Sequence, residues 1–161
     1  MREVILADNS GFCFGVKRAV DEAINIQKQY NKKIYTLGPL IHNNDVVSYL
    51  EDNNVFSIEL EDISNLDPKD VIVIRSHGVS KDVLAMLESR DLTVVNATCP
   101  FVTNIQKKVK KYSEEGYHIV ILGDEKHPEV VGINGWCNND ATKTKDGNIE
   151  IELPEKVCAV A

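Results

Sequence analysis

Two cysteines and two histidines repeat with similar spacing along the 161-residue chain. His42 follows Cys13 at nearly the same distance at which His127 follows Cys99. Both histidines end a Leu-Gly-x-x-x-His sequence, and two adjacent valines follow shortly after each of them. The repeat predicts a duplicated structural unit that carries one thiol and one imidazole, both at loop positions, where chemistry is usually placed.

The positions of Cys13 and Cys99 suit a metal centre. Each follows a predicted strand and directly precedes a predicted helix, where the helix dipole and free backbone N–H groups stabilise a thiolate. Three aromatic residues beside them predict a dry environment: Phe12, Phe14 and Phe101. Thiolates in such a pocket are typical ligands of zinc or of iron–sulfur clusters. The alternative is that each cysteine is a small buried hydrophobic residue.

The other two cysteines fit the packing interpretation better. Cys137 follows Trp136 near a predicted helix end, and Cys158 lies in an apolar run. Neither stands in a loop directly before a helix. We therefore predict that both are core residues.

Three histidines follow predicted strands, at the sheet edge where ligands bind in open α/β folds: His42, His77 and His127. Together with Ser76 and Asn43 they would form a cradle for a diphosphate. Gly78 would let the backbone approach such a ligand closely. His118 opens a predicted strand instead, and we interpret it as a surface residue.

Glu129 follows His127 by two residues, at the start of a short predicted helix. A carboxylate at that position could transfer a proton inside a cleft. It could equally be a helix N-terminal residue that interacts with the dipole. The sequence pattern leaves both interpretations open.

Apolar runs and amphipathic stretches alternate along the chain, which predicts a largely parallel sheet covered by helices. We predict strands at 4–7, 34–37, 71–74, 93–95, 118–122, 149–153 and 157–161. We predict helices at 16–30, 43–53, 81–90 and 103–115, and a short one between Pro128 and Trp136. A capping box of Thr103 and Gln106 should open the fourth helix. The repeat divides the chain into a first α/β unit, 1–96, and a second, 97–161.

Composition excludes several classes of partner. The net charge of −7 and the pI near 5.1 leave no basic surface for nucleic acid or an anionic membrane. No apolar run has the length of a membrane span or a signal peptide, so we predict a cytoplasmic protein. Cysteines in that compartment favour metal or catalytic use over disulfides.

These motifs resemble the LytB family of 4-hydroxy-3-methylbut-2-enyl diphosphate reductases. The resemblance covers essentially the whole chain in the family's order. The matching segments are 11–16 with Arg18-Ala19, His42-Asn43, 76–79, 90–94, 97–103 and 123–130. It implies three pseudo-symmetric α/β units around a central site, a trefoil arrangement of which this chain supplies about two.

The resemblance also implies a cofactor, an oxygen-sensitive [4Fe–4S] cluster held by three cysteines. Cys13 and Cys99 would be two of its ligands. The third ligand has no counterpart here, because neither Cys137 nor Cys158 stands in the missing motif. Two thiolates alone would hold a cubane cluster poorly.

The roles implied for the other residues concern the substrate. The three histidines His42, His77 and His127 would bind its diphosphate, and Glu129 would deliver protons toward the departing hydroxyl. The implied reaction is a two-electron reductive dehydroxylation in the non-mevalonate isoprenoid route, giving isopentenyl and dimethylallyl diphosphates. Ferredoxin or flavodoxin would donate the electrons.

The end of the sequence sets a further expectation. An apolar strand at 157–161 with no following element lacks cover for its faces. We therefore expect the sequence to be cut in mid-fold. Because the third unit and its cysteine are missing, we expect an incomplete fragment of the reductase, without activity on its own and with poor retention of a cluster.

Two alternatives stay open at this stage. One is a zinc protein that uses Cys13, Cys99 and two of the three histidines. The other is a phosphate-binding module without catalytic activity.

Overall fold

The computed structural model describes residues 3–8, 10–41 and 43–161. In the first half, helices and strands alternate as α1 (Phe14–Tyr30), β1 (Ile34–Leu37), α2 (Asn44–Asp52), β2 (Val55–Ile58), β3 (Val71–Ile74), α3 (Lys81–Glu88) and β4 (Thr93–Asn96). The second half contains α4 (Pro100–Glu114), β5 (His118–Leu122), α5 (Pro128–Asn134), β6 (Thr142–Thr144) and β7 (Val157–Val160). Short 3-10 helices at Leu60–Asn65 and Gly135–Cys137 complete the described elements.

The strands form two parallel sheets, one in each half. The strand order is β2-β1-β3-β4 in the first sheet and β6-β5-β7 in the second. In both halves the strand that follows the first helix lies between its two successors, and every described strand pair is parallel. This confirms the predicted α/β fold with two similar parallel sheets. The division at residues 96 and 97 stays a prediction.

Strand β3 is buried on both faces because helices cover both sides of the first sheet. Val71 and Val73 join a core cluster with Ala19 and Ala23 of α1. The alternate residues Ile72 and Ile74 pack on the opposite face, against Leu87 of α3 and Ile63 of the first 3-10 helix. The first half therefore has three layers, and α1 is fixed against the sheet.

The second half has its own core between α4, α5 and β5. Val109, Ile121 and Ile133 are buried there, and Cys137 lies in the same cluster with 2% of its surface exposed. Cys158 packs against that cluster. Both cysteines are packing residues, as predicted. The four lysines at 107, 108, 110 and 111 are exposed and form the solvated face of α4.

The predicted strand at 4–7 was wrong. This segment is irregular, and the side chains of Val4, Ile5 and Leu6 are 82–86% exposed. A strand needs a neighbour for its backbone hydrogen bonds, and no described strand pairs with it.

Three further predictions about local structure were wrong. Residues 149–153 are irregular, whereas β2 and β6 form where no strand was predicted. Both strands lie at sheet edges and are only four and three residues long, so each gives a short signal in the sequence. Helix α4 begins at Pro100 with Cys99 as its N-cap, three residues before the predicted capping box. Proline is favoured at a first helical position because its missing N–H is not needed there.

None of the described helices is long and apolar enough to cross a membrane.

Candidate functional site

The two cysteine segments meet. Cys13 and Cys99 are the N-cap residues of α1 and α4, and neither makes a side-chain cap hydrogen bond. The thiol of Cys99 lies on Gly15, because a Cβ added at Gly15 would be 2.9 Å from Cys99 Sγ. Real Cβ contacts are not that short, so glycine is required for this approach. The second cysteine therefore lies on the first turn of the helix that the first cysteine opens.

Hydrogen bonds from the first half fix the backbone around Cys99. Arg18 of α1 donates from Nη2 to the carbonyl of Thr98 at 2.8 Å. The Cys99 N–H donates to the carbonyl of Ser76 at 2.9 Å. The N–H of Thr98 donates to Oδ1 of Asn96 at 3.1 Å. The loop before α4 is thus bound to α1 and to the segment after β3.

The predicted dry environment was wrong for the described residues. Phe12, Phe14 and Phe101 are 47%, 67% and 75% exposed, and Cys13 is exposed as well. The buried residues of α1 and α4, such as Ala19 and Val109, lie on other faces of these helices than Phe14 and Phe101. The three aromatic rings form an apolar rim beside the two cysteines.

Two of the predicted histidines also come together from opposite halves. The rings of His77 and His127 are 5.4 Å apart between centroids and meet edge to face at 87°. His77 is half-buried after β3, and His127 is the exposed N-cap of α5. The third predicted histidine, His42, lies outside the described residues.

The hydrogen bonds around His127 show which of its ring nitrogens is free to donate to a ligand. Its Nδ1 accepts from the N–H of Glu129 at 3.3 Å, so the neutral ring carries its proton on Nε2. That Nε2–H is a donor suited to an anion.

The Asp124 carboxylate fixes the loop that leads to His127. It accepts hydrogen bonds from the N–H of Lys126 and from the Lys145 ammonium, and these hydrogen bonds lower the pKa of Asp124. Glu129 is half-buried in the first turn of α5.

A cleft of about 290 Å³ opens beside the two histidines. Its lining includes Arg75 and Gly78 from the first half and Lys126 and Pro128 from the second. Burial lowers the pKa of Arg75, but arginine stays protonated in proteins. The Glu59 carboxylate also lines the cleft and partly offsets the charge of Arg75. Two cations against one carboxylate leave a net positive lining, which favours an anionic ligand.

The two polar residues predicted to join the cradle have different environments. Ser76 is buried, with 5% of its surface exposed. Asn43 is exposed and is the N-cap of α2, where its Oδ1 accepts from the N–H of Val46. The amide oxygen of Asn43 is thus already used in the helix cap.

Several residues of this region were not assigned a role from the sequence. Arg18 stood inside a matched motif, yet its long-range partner had no signal in the spacing. Gln106 was interpreted as part of a capping box. Trp136 and Arg75 had no pattern around them that indicates a contact between the halves. Only the lone occurrence of tryptophan in the chain could have drawn attention to Trp136.

Among the described residues, no three side chains of histidine, cysteine, aspartate or glutamate form a group that could hold a metal ion. A structural zinc site needs four ligands. The zinc alternative therefore gains no support from the part of the chain that the structure describes. Cys13 and Cys99 are a pair of soft ligands and not a closed site.

The sequence model described as LytB protein matches residues 4–161. The chain belongs to the LytB family.

Curated relatives carry the same reductase name. A 4-hydroxy-3-methylbut-2-enyl diphosphate reductase of Clostridium perfringens (strain SM101) is 65% identical over 161 residues, which cover 99% of this chain and 57% of the relative. A reductase of the same name from Clostridium acetobutylicum is 64% identical over 163 residues, which cover 100% of this chain and 25% of the relative. The chain thus spans little more than half, or less, of these curated LytB relatives.

Solved structures agree with the family assignment. One is described as (E)-4-hydroxy-3-methyl-but-2-enyl diphosphate reductase, the terminal enzyme of the non-mevalonate pathway. It aligns with a TM-score of 0.73 at 38% identity, over 89% of this chain and 50% of that one. A second, E-1-hydroxy-2-methyl-but-2-enyl-4-diphosphate reductase from Plasmodium falciparum, aligns with a TM-score of 0.86 at 25% identity, over 94% and 48%. The two halves of the LytB chain thus have the fold of part of such reductases.

Proposed function

We propose that this chain provides two sectors of the active site of a 4-hydroxy-3-methylbut-2-enyl diphosphate reductase. The observation that carries the proposal is the meeting of the two halves at the family's motifs. Cys99 lies on the helix that Cys13 opens, and His77 lies against His127. The names of the relatives describe a reduction of 4-hydroxy-3-methylbut-2-enyl diphosphate. The reaction we propose for it is the one the resemblance implied, a reductive dehydroxylation that gives isopentenyl and dimethylallyl diphosphates.

Cys13 and Cys99 would be two of three cysteine ligands of a [4Fe–4S] cluster. Their chemistry fits, because both are free thiols at helix N-termini without side-chain cap bonds. Gly15 leaves the space that one thiol needs beside the other helix. When bound, such a cluster supplies single electrons and a Lewis-acidic iron.

The histidines would bind the substrate as a small allylic diphosphate. His77 and His127 would each donate a hydrogen bond to phosphate oxygens, with Nε2–H as the donor of His127. We propose the same role for His42. Arg75 and Lys126 outweigh the Glu59 carboxylate in the adjoining cleft, and this net positive charge supports the binding of an anion there. Glu129, in the first turn after His127, would deliver protons toward the departing hydroxyl.

The electrons would come from a protein of the ferredoxin or flavodoxin type. A cytoplasmic location belongs to the same proposal. The donor rests on the family resemblance, because a reductase needs a source of electrons, and the location is the one expected from the sequence.

The test is anaerobic loading of the chain with ferrous iron and sulfide, with excess small monothiol to occupy the third ligand position. Iron, sulfide, zinc and visible absorption are measured for wild type, Cys13→Ser, Cys99→Ser and the control Cys158→Ser. We expect broad visible absorption and bound iron and sulfide in wild type and in the control. Both should fall in the other two variants.

Three results would contradict the cluster assignment. Stoichiometric zinc in a colourless protein, lost in Cys13→Ser and Cys99→Ser, would favour the zinc alternative. A colourless, metal-free chain that still binds pyrophosphate would favour the phosphate-binding module. Equal iron in all four proteins would show that the two cysteines are not the ligands.

A further inference from the structure

One backbone carbonyl in the first half receives two side-chain donors from the second half. Trp136 Nε1–H donates to the carbonyl of Val79 at 3.0 Å. The Gln106 amide nitrogen donates to the same oxygen at 3.4 Å. A carbonyl has two lone pairs, so both bonds can exist together. Val79 stands two residues after His77.

The loop from Ser76 to Val79 is held mainly from outside. The hydrogen bonds to the Ser76 and Val79 carbonyls come from Cys99, Gln106 and Trp136, all in the second half. Within the loop, the Gly78 N–H donates to the carbonyl of Arg75 at 3.0 Å. Three donors of the second half therefore hold the carbonyls of this loop.

The contact with Gln106 is tight and buried. Gln106 is 5% exposed. Gly78 has a φ of +70°, and a Cβ there would be 2.6 Å from Gln106 Nε2 and 2.9 Å from Thr98 Cγ2. The sequence interpretation gave Gly78 a close approach to a ligand, whereas the space beside its Cα is filled by the second half.

The position of Trp136 connects the loop with the second histidine. Trp136 lies in the 3-10 helix that directly follows α5, and His127 caps the start of α5. The indole bond therefore ties the His77 loop to the helical segment that carries His127. The rings of His77 and His127, 5.4 Å apart between centroids, thus lie on the two segments that this bond joins.

We propose that Gln106 and Trp136 are positioning residues that hold His77 opposite His127 through the carbonyl of Val79. The proposal deepens the proposed function and rests on it for the ligand, a diphosphate. A second consequence is that Trp136, as the only tryptophan, reports on this site by fluorescence.

The experiment uses the whole chain and inorganic pyrophosphate as the probe. Binding is measured by calorimetry and by Trp136 fluorescence in wild type, and by calorimetry in Trp136→Phe and Gln106→Met. Both variants keep most of the side-chain volume and remove one donor. We expect pyrophosphate affinity to fall roughly fivefold in each, the size of one neutral hydrogen bond, with thermal unfolding still cooperative.

Lys81→Met is the matched control. Lys81 of α3 donates to Oδ1 of Asn138, an exposed hydrogen bond that also joins the two halves but does not involve Val79. Its loss should leave pyrophosphate affinity unchanged. If this control lost as much pyrophosphate affinity as the two test variants, the loss would come from weaker contact between the halves in general. That result would overturn the positioning role.

Amide hydrogen exchange at Gly78 and the imidazole NMR shifts of His77 separate this proposal from the function it rests on. Faster Gly78 exchange and a shifted His77 signal in both variants, but not in Lys81→Met, support the positioning role whether or not pyrophosphate binds. Failure of wild type to bind pyrophosphate would instead contradict the diphosphate site. Unchanged exchange, His77 shifts and affinity in both variants would overturn the positioning role.

Discussion

The two cysteine segments have the same local design but different support. Cys99 is half-buried, its backbone N–H bonds to Ser76, and the preceding carbonyl accepts from Arg18. Cys13 is exposed and follows a segment whose apolar side chains are exposed. The Cys99 loop owes its order to the other half of the molecule, because the partners of its backbone lie there.

This difference shows which contacts fix the positions of the side chains in the site. A cysteine before a helix is a local feature, and each half can form it alone. Placing a thiol within reach of a second thiol needs contacts across the halves. Gly15 and Arg18 supply such contacts for Cys99, as Gln106 and Trp136 do for the His77 loop.

The largest effect is expected from filling the space between the cysteine segments. In Gly15→Val the new side chain would overlap the thiol of Cys99, and overpacking of this kind costs about 1–3 kcal/mol. We expect a lower free energy of unfolding and loss of iron in anaerobic loading. The control is Gly132→Ala in α5, where an added Cβ has its nearest neighbours at 3.6 Å, an ordinary contact. Equal tolerance of both variants would contradict the described approach of Cys99.

Removing the hydrogen bond from Arg18 to the Thr98 carbonyl should make the Cys99 loop more mobile and leave Cys13 unchanged. Arg18→Met leaves the Thr98 carbonyl without its charged donor, which costs about 1.5 kcal/mol or more. Alkylation of Cys99, followed by mass spectrometry, should become several times faster, while that of Cys13 stays the same. Arg90→Met is the control, because Arg90 makes a similar bond to the Ile63 carbonyl away from both cysteines. Faster Cys99 alkylation in this control would argue against a specific role for Arg18.

Cys137 lies inside the core of the second half and provides a buried thiol with which Cys13 and Cys99 can be compared. Burial raises the pKa of Cys137, so the native state favours the neutral thiol. Its contribution to stability is complete below the unfolded pKa, about 8.5, and is lost as pH rises through the higher native pKa. Cys137→Ala should flatten the alkaline decline of the unfolding free energy, by at most about 1.4 kcal/mol per pH unit. Identical slopes from denaturant titrations at pH 8 to 10 would contradict this expectation.

The smallest effect is expected in the segment before Cys13. Leu6→Ser removes an apolar side chain that is 82% exposed. Such surface substitutions change stability by about 0.5 kcal/mol or less. A loss of 2 kcal/mol or more in urea unfolding, typical of core positions, would show that the segment is packed in solution.

Periodicity predicted the central elements well because packing and local pattern agree there. Val71–Ile74 is apolar on both faces and is buried on both faces. The edge strand Thr142–Thr144 was missed, since a short polar strand depends on its neighbour for its conformation. Gln106 was misinterpreted for a related reason. Its spacing from Thr103 fits a cap, but its partner, Val79, lies 27 residues away.

The site was predictable as a set of residue types and not as a set of contacts. Repeated motifs indicated the cysteines and histidines, and family resemblance supplied their expected roles. The partners that fix them, Arg18 and Trp136, act across long sequence separations. Such contacts follow from tertiary packing, which spacing along the chain does not encode.

The central claim is that residues from both halves form one binding site, and an NMR titration tests it most directly. Inorganic pyrophosphate is added to the chain while the imidazole signals of His77 and His127 are followed. We predict that both signals shift with a single dissociation constant and that His77→Ala abolishes the shift of His127. Movement of one signal alone, or saturation of the two at different concentrations, would contradict a shared site.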